Sequence, residues 1–338
     1  LPSEIHTSSN TVWKLKKAIY GLKQSSRIWN KELSSTLLKY NFYCQHTDTC
    51  LFKHKTFKCF IGIYVDDILI ASESEQFVAA MIQNLKNEYE VKDEGTPSTL
   101  LGINIHVNHA STLRLTQCAY IDSVLEEFNL QDCNVVSTPC GDLNTIRHSA
   151  AEDNKEYINE SLPYLEIMGK LNYLSSRTRP DISFIAQKLS GFNHSYGKDH
   201  FTLAKRVLRY LKGTKTFSIG FNPNTPSSTH HSDDLIAYTD ADFAGCIMTR
   251  KSTSGYIFIY NSMTISWMSK KQTIVAQSTA ESEVEAIALA MKHGVYLREI
   301  IYFFSNKMPS LTVYVDNQAA ITMLQNPDNN FRTKHLGL

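Results

Sequence analysis

The sequence predicts an α/β protein in which two domains of mixed strand and helix flank a helical region. Three observations support this. Helix-period and strand-period patterns alternate up to about residue 130, apolar residues recur at helical spacing through residues 163–212, and strand patterns return from Leu235 around one long helix.

The first domain centres on a hairpin. Phe57–Val65 and Ile68–Ser72 are strand-like runs joined through Asp66 and Asp67, and a helix follows with Phe77, Met81, Leu85 and Tyr89 on one stripe. Leu100–Val107 and Leu113–Leu115 alternate as a second hairpin, and Tyr120, Val124 and Phe128 mark the next helix. Residues 131–160 are polar, contain Pro139 and Gly141 and lack periodicity, which predicts a linker. Three helices are expected over residues 163–212, with Pro180-Asp181 opening the second, because Pro is tolerated in a first helical turn. A polar stretch at residues 222–234 separates this region from the last block. There the pattern predicts strands at Leu235–Thr239, Gly255–Tyr260 and Met263–Trp267, a helix over residues 279–304, a strand at Leu311–Val315 and a short helix at residues 317–325.

A chain of 338 residues with 42% hydrophobic and 11% aromatic residues has room for two or three domains with cores of their own. The apolar runs Phe60–Val65 and Ile68–Ala71 are interrupted by Asp66 and Asp67 and fall far short of the ~20 residues of a membrane helix, so no membrane partner is expected. No leader-like pattern opens the sequence, which predicts an intracellular, cytoplasmic chain with reduced cysteines. The seven cysteines contain no Cys-x-x-Cys pair, which argues against a structural zinc site.

Net charge is +1, yet charge is segregated along the chain. Lys14, Lys16, Lys17, Lys23, Arg27 and Lys31 follow one another without an acid between them, interleaved with Trp13, Tyr20 and Trp29. Lys205, Arg209 and Lys212 form a helical stripe beside Arg206, opposite Val207, Leu208 and Leu211. Either stretch is a solvated basic face or a phosphate-contacting one.

Two sets of acids could carry chemistry. Asp66 and Asp67 at a hairpin tip place carboxylates where two strands end, an arrangement able to hold Mg²⁺ as readily as to form a polar turn. In the last block, Asp240 ends a strand, Glu283 stands near the start of the long helix and Asp316 ends another strand, so one folded edge could gather all three around a metal pair ~4 Å apart. Asp242, Glu281 and Glu285 compete for the same role, and spacing alone does not choose among them.

These residues lie within motifs that resemble a copia-type retrotransposon Pol polyprotein over nearly the whole chain. Lys14–Gln24 resembles the entry to the second half of its reverse transcriptase palm, and Tyr64-Val65-Asp66-Asp67-Ile68-Leu69-Ile70-Ala71 its polymerase hairpin. Thr178-Arg179-Pro180-Asp181-Ile182 and Ala204–Thr214 are similar to the segment between polymerase and nuclease. Tyr238–Asp242, Arg250–Gly255, Ser266-Trp267, Lys270-Lys271-Gln272, Glu281-Ser282-Glu283, Val315–Gln318 and Arg332–His335 resemble its RNase H. Several motifs in one order are specific where each alone is weak.

The resemblance implies three parts: a partial palm with the hairpin and helix after it at residues 1–130, a linker and helical thumb or connection region at 131–221, and an RNase H-like domain of mixed sheet with flanking helices at 235–338, cut short at its end. It implies an RNA-directed DNA polymerase and ribonuclease H, with RNA template and RNA/DNA hybrid as partners, Mg²⁺ in two-metal sites and, in the family, a virus-like particle as setting. Asp66 and Asp67 would be polymerase metal acids. Asp240, Glu283 and Asp316 would be nuclease metal ligands, Glu283 being preferred to Glu281 by the family pattern through Leu297-Arg298. Lys14, Lys16, Lys17, Lys23, Arg27, Lys205, Arg206, Arg209 and Lys212 would contact phosphates.

The chain departs from the pattern at both ends. The family's earlier palm aspartate lies in an Asp-x-x-x-Ala-Phe-Leu context, and residues 1–59 offer only Glu4, Glu32 and Asp48, in other contexts, so that strand is expected upstream of Leu1. After His335 the family places Ile-Asp where Leu336-Gly337 stands, which removes a fourth nuclease carboxylate. The expectation is a reverse transcriptase/RNase H fragment without polymerase activity of its own. The competing reading is a catalytically dead remnant, or a host-recruited nucleic-acid-binding protein.

Overall fold

The computed structural model describes residues 16, 18, 19, 21–108, 112–141, 161–222, 234–246 and 248–325. Lys14, Lys17, most of the expected linker, Arg332–His335 and Gly337 lie outside them. The chain forms two compact units, Leu1–Asp93 with Glu299–Met308, and Glu94–Arg298 with Pro309–Leu338.

In the first unit, α1 (Ser25–Lys39) is followed by β1 (Phe42–Cys44), β2 (Leu51–His54), β3 (Cys59–Tyr64) and β4 (Asp67–Ser72), which pair antiparallel in sequence order, and then by α2 (Glu75–Glu88). Alternation in β3 buries Cys59, Ile61 and Ile63 on one face. Leu33 and Leu37 of α1 and Met81 and Leu85 of α2 close the core over it, with Phe42 and Phe52. The Ser74 hydroxyl accepts from the Phe77 N–H at 3.2 Å and caps α2. The chain reverses at Val65-Asp66, one residue earlier than the sequence suggests, because Asp67 already pairs with Tyr64 in the ladder. Lys53, 8% exposed, donates to the Phe303 carbonyl at 2.8 Å and to Asn306 Oδ1 at 2.7 Å. It satisfies the end of the long helix, where a cation is favoured.

The second unit begins with β5 (Thr99–Leu100), β6 (Ile103–Val107), β7 (Leu113–Thr116) and α3 (Cys118–Glu127). Helices α4 (Tyr164–Arg177), α5 (Ser183–Ser190) and α6 (Lys198–Gly213) follow, with Pro180–Ile182 forming a 3₁₀ turn before α5. Ile121, Val124 and Leu125 of α3 share one core with Ile167 and Leu171 of α4, Ile185 and Leu189 of α5, and Val207, Leu208 and Leu211 of α6. This shared core places residues 94–128 with the helical region. Strand β8 (Ile219–Phe221) returns to pair with β7 and completes the sheet β5-β6-β7-β8.

The remaining sheet is built from β9 (Leu235–Asp242), β10 (Thr253–Tyr260), β11 (Met263–Lys271) and β12 (Leu311–Tyr314) in the order β11-β10-β9-β12, with only the β12–β9 pair parallel. Helix α7 (Thr279–Ser305) connects β11 to β12, and α8 (Gln318–Gln325) follows β12. Tyr256 and Phe258 meet His293 of α7 on one face of this sheet, and Trp267 on the other donates its Nε1–H to the Ser175 carbonyl at 2.6 Å. Among the described residues no helix is long and apolar enough to cross a membrane.

Candidate metal centre and basic surfaces

Asp240, Glu283 and Asp316 come together. Tyr314 stands beside Tyr238 in the parallel register, so Asp316 and Asp240, each two residues further on, reach the same level at the ends of neighbouring strands. Glu283 reaches them from the first turns of α7. Carboxylate oxygens of the three lie within 4.8 Å of one another, the only such group among the described residues. Glu283 is 6% exposed and accepts the Ala241 N–H. Burial, then the Asp240 carboxylate and more weakly that of Asp316, push its pKa from 4.5 up to about 7 against that hydrogen bond.

The donor set fits a hard divalent cation. It is all oxygen, and Glu283 Oε2 is buried without a hydrogen-bond partner. The competing acids are engaged elsewhere. Asp242 pairs with Lys188 at 2.9 Å, and the Glu281 carboxylate accepts the Gln277 N–H at 2.8 Å. Glu285 accepts from the Thr273 backbone and burial raises its pKa; its Oε2 is likewise buried without a partner, but it lies outside the converging group of carboxylates.

Polar residues in the neighbouring motifs hold this edge in place. Buried Gln272 donates from Nε2 to Ser254 Oγ and to the Ser282 carbonyl, both at 2.9 Å, and so fixes the turn of α7 that carries Glu283. Ser252 Oγ accepts the Ala244 N–H at 3.0 Å beyond the end of β9. The Ser252-Thr253-Ser254 run, polar yet opening a strand, is the signal in the sequence for these roles.

Asp66 and Asp67 form a separate exposed pair in the first unit. Val65 beside them holds φ at 54°, a left-handed conformation unusual for a β-branched residue. The Trp29 Nε1–H donates to the Val65 carbonyl at 2.8 Å and pins the turn. A cavity of about 1190 Å³ opens there, lined by Lys16, Lys23, Ser25, Trp29, Asp66 and Glu88 among others. Lys16 and Lys23 thus border the same space as Asp66, and Arg27 is exposed on α1.

The second basic stripe is largely occupied by intramolecular contacts. Arg209 Nε donates to the Asn134 carbonyl at 2.7 Å, Lys212 Nζ to the Cys133 carbonyl at 2.8 Å and Arg206 to Thr138 Oγ1 at 3.0 Å. Lys205 lies over the Phe201 ring at 4.7 Å. These cations hold the segment at 133–138 against α6. Arg179 is also structural: 1% exposed, it makes a bidentate pair with Asp181 at 2.9 and 2.6 Å and donates to Thr214, while the Tyr210 hydroxyl donates to Asp181.

With this geometry in view, comparison with known proteins identifies the class. The family described as Reverse transcriptase (RNA-dependent DNA polymerase) matches residues 2–142. The Retrovirus-related Pol polyprotein from transposon TNT 1-94 of Nicotiana tabacum is 34% identical over 98% of this chain and 25% of its own length. That from transposon RE1 of Arabidopsis thaliana is 34% identical over 97% of this chain and 22% of its own. An uncharacterized mitochondrial protein of Arabidopsis thaliana, AtMg00810, is 34% identical over 68% of this chain and 90% of its own length. The chain belongs to the copia-type retrotransposon Pol family. It spans about a quarter of the length of the two Pol polyproteins.

Proposed function

We propose that this chain is the part of a Pol polyprotein that carries the polymerase hairpin and an RNase H-like nuclease, and that the nuclease cleaves the RNA strand of an RNA/DNA hybrid at Asp240, Glu283 and Asp316. The carrying observation is the convergence of these three acids with an unpaired buried oxygen on Glu283. The domains on this reading are a palm segment up to residue 93, a connection at residues 94–221 built on the core shared by α3 and the helices after it, and the nuclease from residue 235 onward. Asp66 and Asp67 take the corresponding metal-binding role in DNA synthesis by the longer polyprotein. Among the described residues they lie in no group of three acids.

Mg²⁺ held by the three carboxylates would activate water and neutralise developing phosphate charge. The chain's own residues supply position. Ala241 N–H orients the Glu283 carboxylate, Gln272 fixes the helix turn beneath it, and the β9–β12 register sets Asp240 against Asp316. Lys16, Lys23 and Arg27 are proposed to contact template phosphates beside the hairpin, whereas Arg206, Arg209 and Lys212 keep only part of their charge available.

The test is cleavage of labelled RNA in a hybrid with Mg²⁺. Asp240→Asn is expected to lower cleavage at least about 100-fold, beyond the usual loss from removing a mere supporting group. Cleavage equal in the wild type and Asp240→Asn would overturn the assignment.

A further inference from the structure

The loop that leaves β9 beyond Asp240 brings a thiol against an amine. Register sets Asp242 of β9 and Lys271 of β11 on either side of Thr253 of β10, so the loop from β9 to β10 returns beside the end of β11. Cys246 lies in that loop, half-buried. Its N–H donates to the Lys251 carbonyl at 3.1 Å, its carbonyl accepts the Arg250 N–H at 2.6 Å, and the Gly245 carbonyl before it accepts from Lys188 Nζ at 3.2 Å. The backbone around the cysteine is thereby held, and Lys271 Nζ donates to the Cys246 sulfur at 3.2 Å.

We propose that Cys246 and Lys271 form a redox clasp, in which oxidation by a peroxide joins Sγ to Nζ covalently and a thiol reductant parts them again. The inference stands apart from the nuclease reading, since its chemistry needs neither metal nor nucleic acid. The two reacting atoms are already in contact, on a pinned loop and at the end of a paired strand, so the bond forms without rearranging the sheet. The surroundings also favour the reactive form of the sulfur. Burial raises the Cys246 pKa, but the Thr249 hydroxyl and N–H and the Lys271 ammonium outweigh it and bring it from 9.0 down to about 7. Cys44, Cys50, Cys59 and Cys140 are pushed up by burial instead and stay thiols.

The steps balance with hydrogen peroxide as the oxidant. The Cys246 thiolate attacks one peroxide oxygen and breaks the O–O bond, which gives a sulfenic acid and releases hydroxide. Hydroxide takes a proton from the Lys271 ammonium and becomes water. The free amine then attacks sulfur, forms the S–N bond and expels the sulfenic oxygen, which leaves with an amine proton as a second water. Sulfur loses two electrons and the peroxide gains them. Two equivalents of a thiol reductant reverse the link, restoring the cysteine and the lysine and becoming a disulfide themselves. The closed clasp ties the loop after β9 to the residue directly before Gln272, at the edge of the sheet that carries Asp240.

The experiment treats the whole chain with hydrogen peroxide, alkylates the remaining thiols and maps peptides by mass spectrometry. Wild type is expected to give the Cys246 and Lys271 peptides joined, two hydrogens lighter than their sum, and separated again by dithiothreitol. Lys271→Arg keeps a positive charge beside the sulfur but removes the amine. Its Cys246 should stop at the sulfenic acid and take up the sulfenic-acid trap dimedone, which the wild type escapes. Equal dimedone labelling of Cys246 in both proteins without joined peptides would overturn the clasp, as would a disulfide from Cys246 to another cysteine. The joined pair is read in the wild type, so a poorly folded variant leaves the result decisive. Either outcome leaves the nuclease reading untouched.

Discussion

Replacing Glu283 by Gln tests the metal centre without any measurement of catalysis. Glu283 is 6% exposed, and its burial, then the Asp240 and more weakly the Asp316 carboxylate, carry its pKa from 4.5 up to about 7. A raised carboxyl pKa means that the folded state holds its proton more tightly than the unfolded chain. Stability from this group is therefore complete below pH 4.5 and is lost as pH rises to about 7. At about 1.4 kcal/mol per pH unit, the charged Glu283 costs the metal-free protein about 3 kcal/mol at pH 8. Glu283→Gln keeps shape and the acceptor for Ala241 N–H while removing the charge. It should stabilise the second unit by up to that amount at pH 8 in EDTA and by nearly nothing at pH 4.5. Mg²⁺ should invert the order, because saturation at about 1,000 times Kd adds about 4.1 kcal/mol to a protein that binds it. Urea unfolding followed by the fluorescence of Trp267, with Trp13 and Trp29 replaced by Phe, reads the difference. An equal effect of Glu283→Gln at both pH values, or equal Mg²⁺ stabilisation of both proteins, would refute the argument.

Three further substitutions probe the scaffold. Gln272→Leu removes both hydrogen bonds beneath Glu283 and should weaken Mg²⁺ binding by about 10- to 100-fold, read by calorimetric titration. Val65→Asn replaces a β-branched residue at φ 54° with one that accepts this conformation, and should stabilise the first unit by about 1 kcal/mol in chemical denaturation. Arg179→Ala leaves Asp181 without its bidentate partner and should lower the stability of the second unit by about 3 kcal/mol, read as a lower Tm.

The strands and helices that bury one regular face are legible in the sequence. Alternation identifies β3 and the 3.6-residue period identifies α2 and α6, because one side of each faces a core. Strands β1, β2 and β8 escape this reading. They have three, four and three residues, too few for a period, and β2 buries Lys53 and His54 where a sequence pattern expects apolar side chains. Lys53 is inside because the carbonyl of Phe303, 250 positions away, needs a donor there. The intramolecular contacts of the basic stripe on α6 are hidden in the sequence for the same reason. Its charges are visible in the sequence, but the carbonyls of Cys133 and Asn134 that they satisfy are not.

Motif order alone does not separate candidate metal ligands from residues that hold the fold, whereas convergence of carboxylates taken together with hydrogen-bond satisfaction does. Arg179 and Asp181 fall in one recognisable motif and Glu283 in another, and both motifs contain buried charge. Arg179 faces a carboxylate, a carbonyl and a hydroxyl, so its charge is compensated by the protein itself. Glu283 faces two further acids and keeps Oε2 without a partner, so the protein leaves its charge uncompensated. Folding alone selects against the second arrangement, since a neutral residue of the same shape relieves the repulsion. An uncompensated cluster built on three different elements, with a glutamine placed to hold one of them still, is the arrangement expected where a cation completes the charge balance.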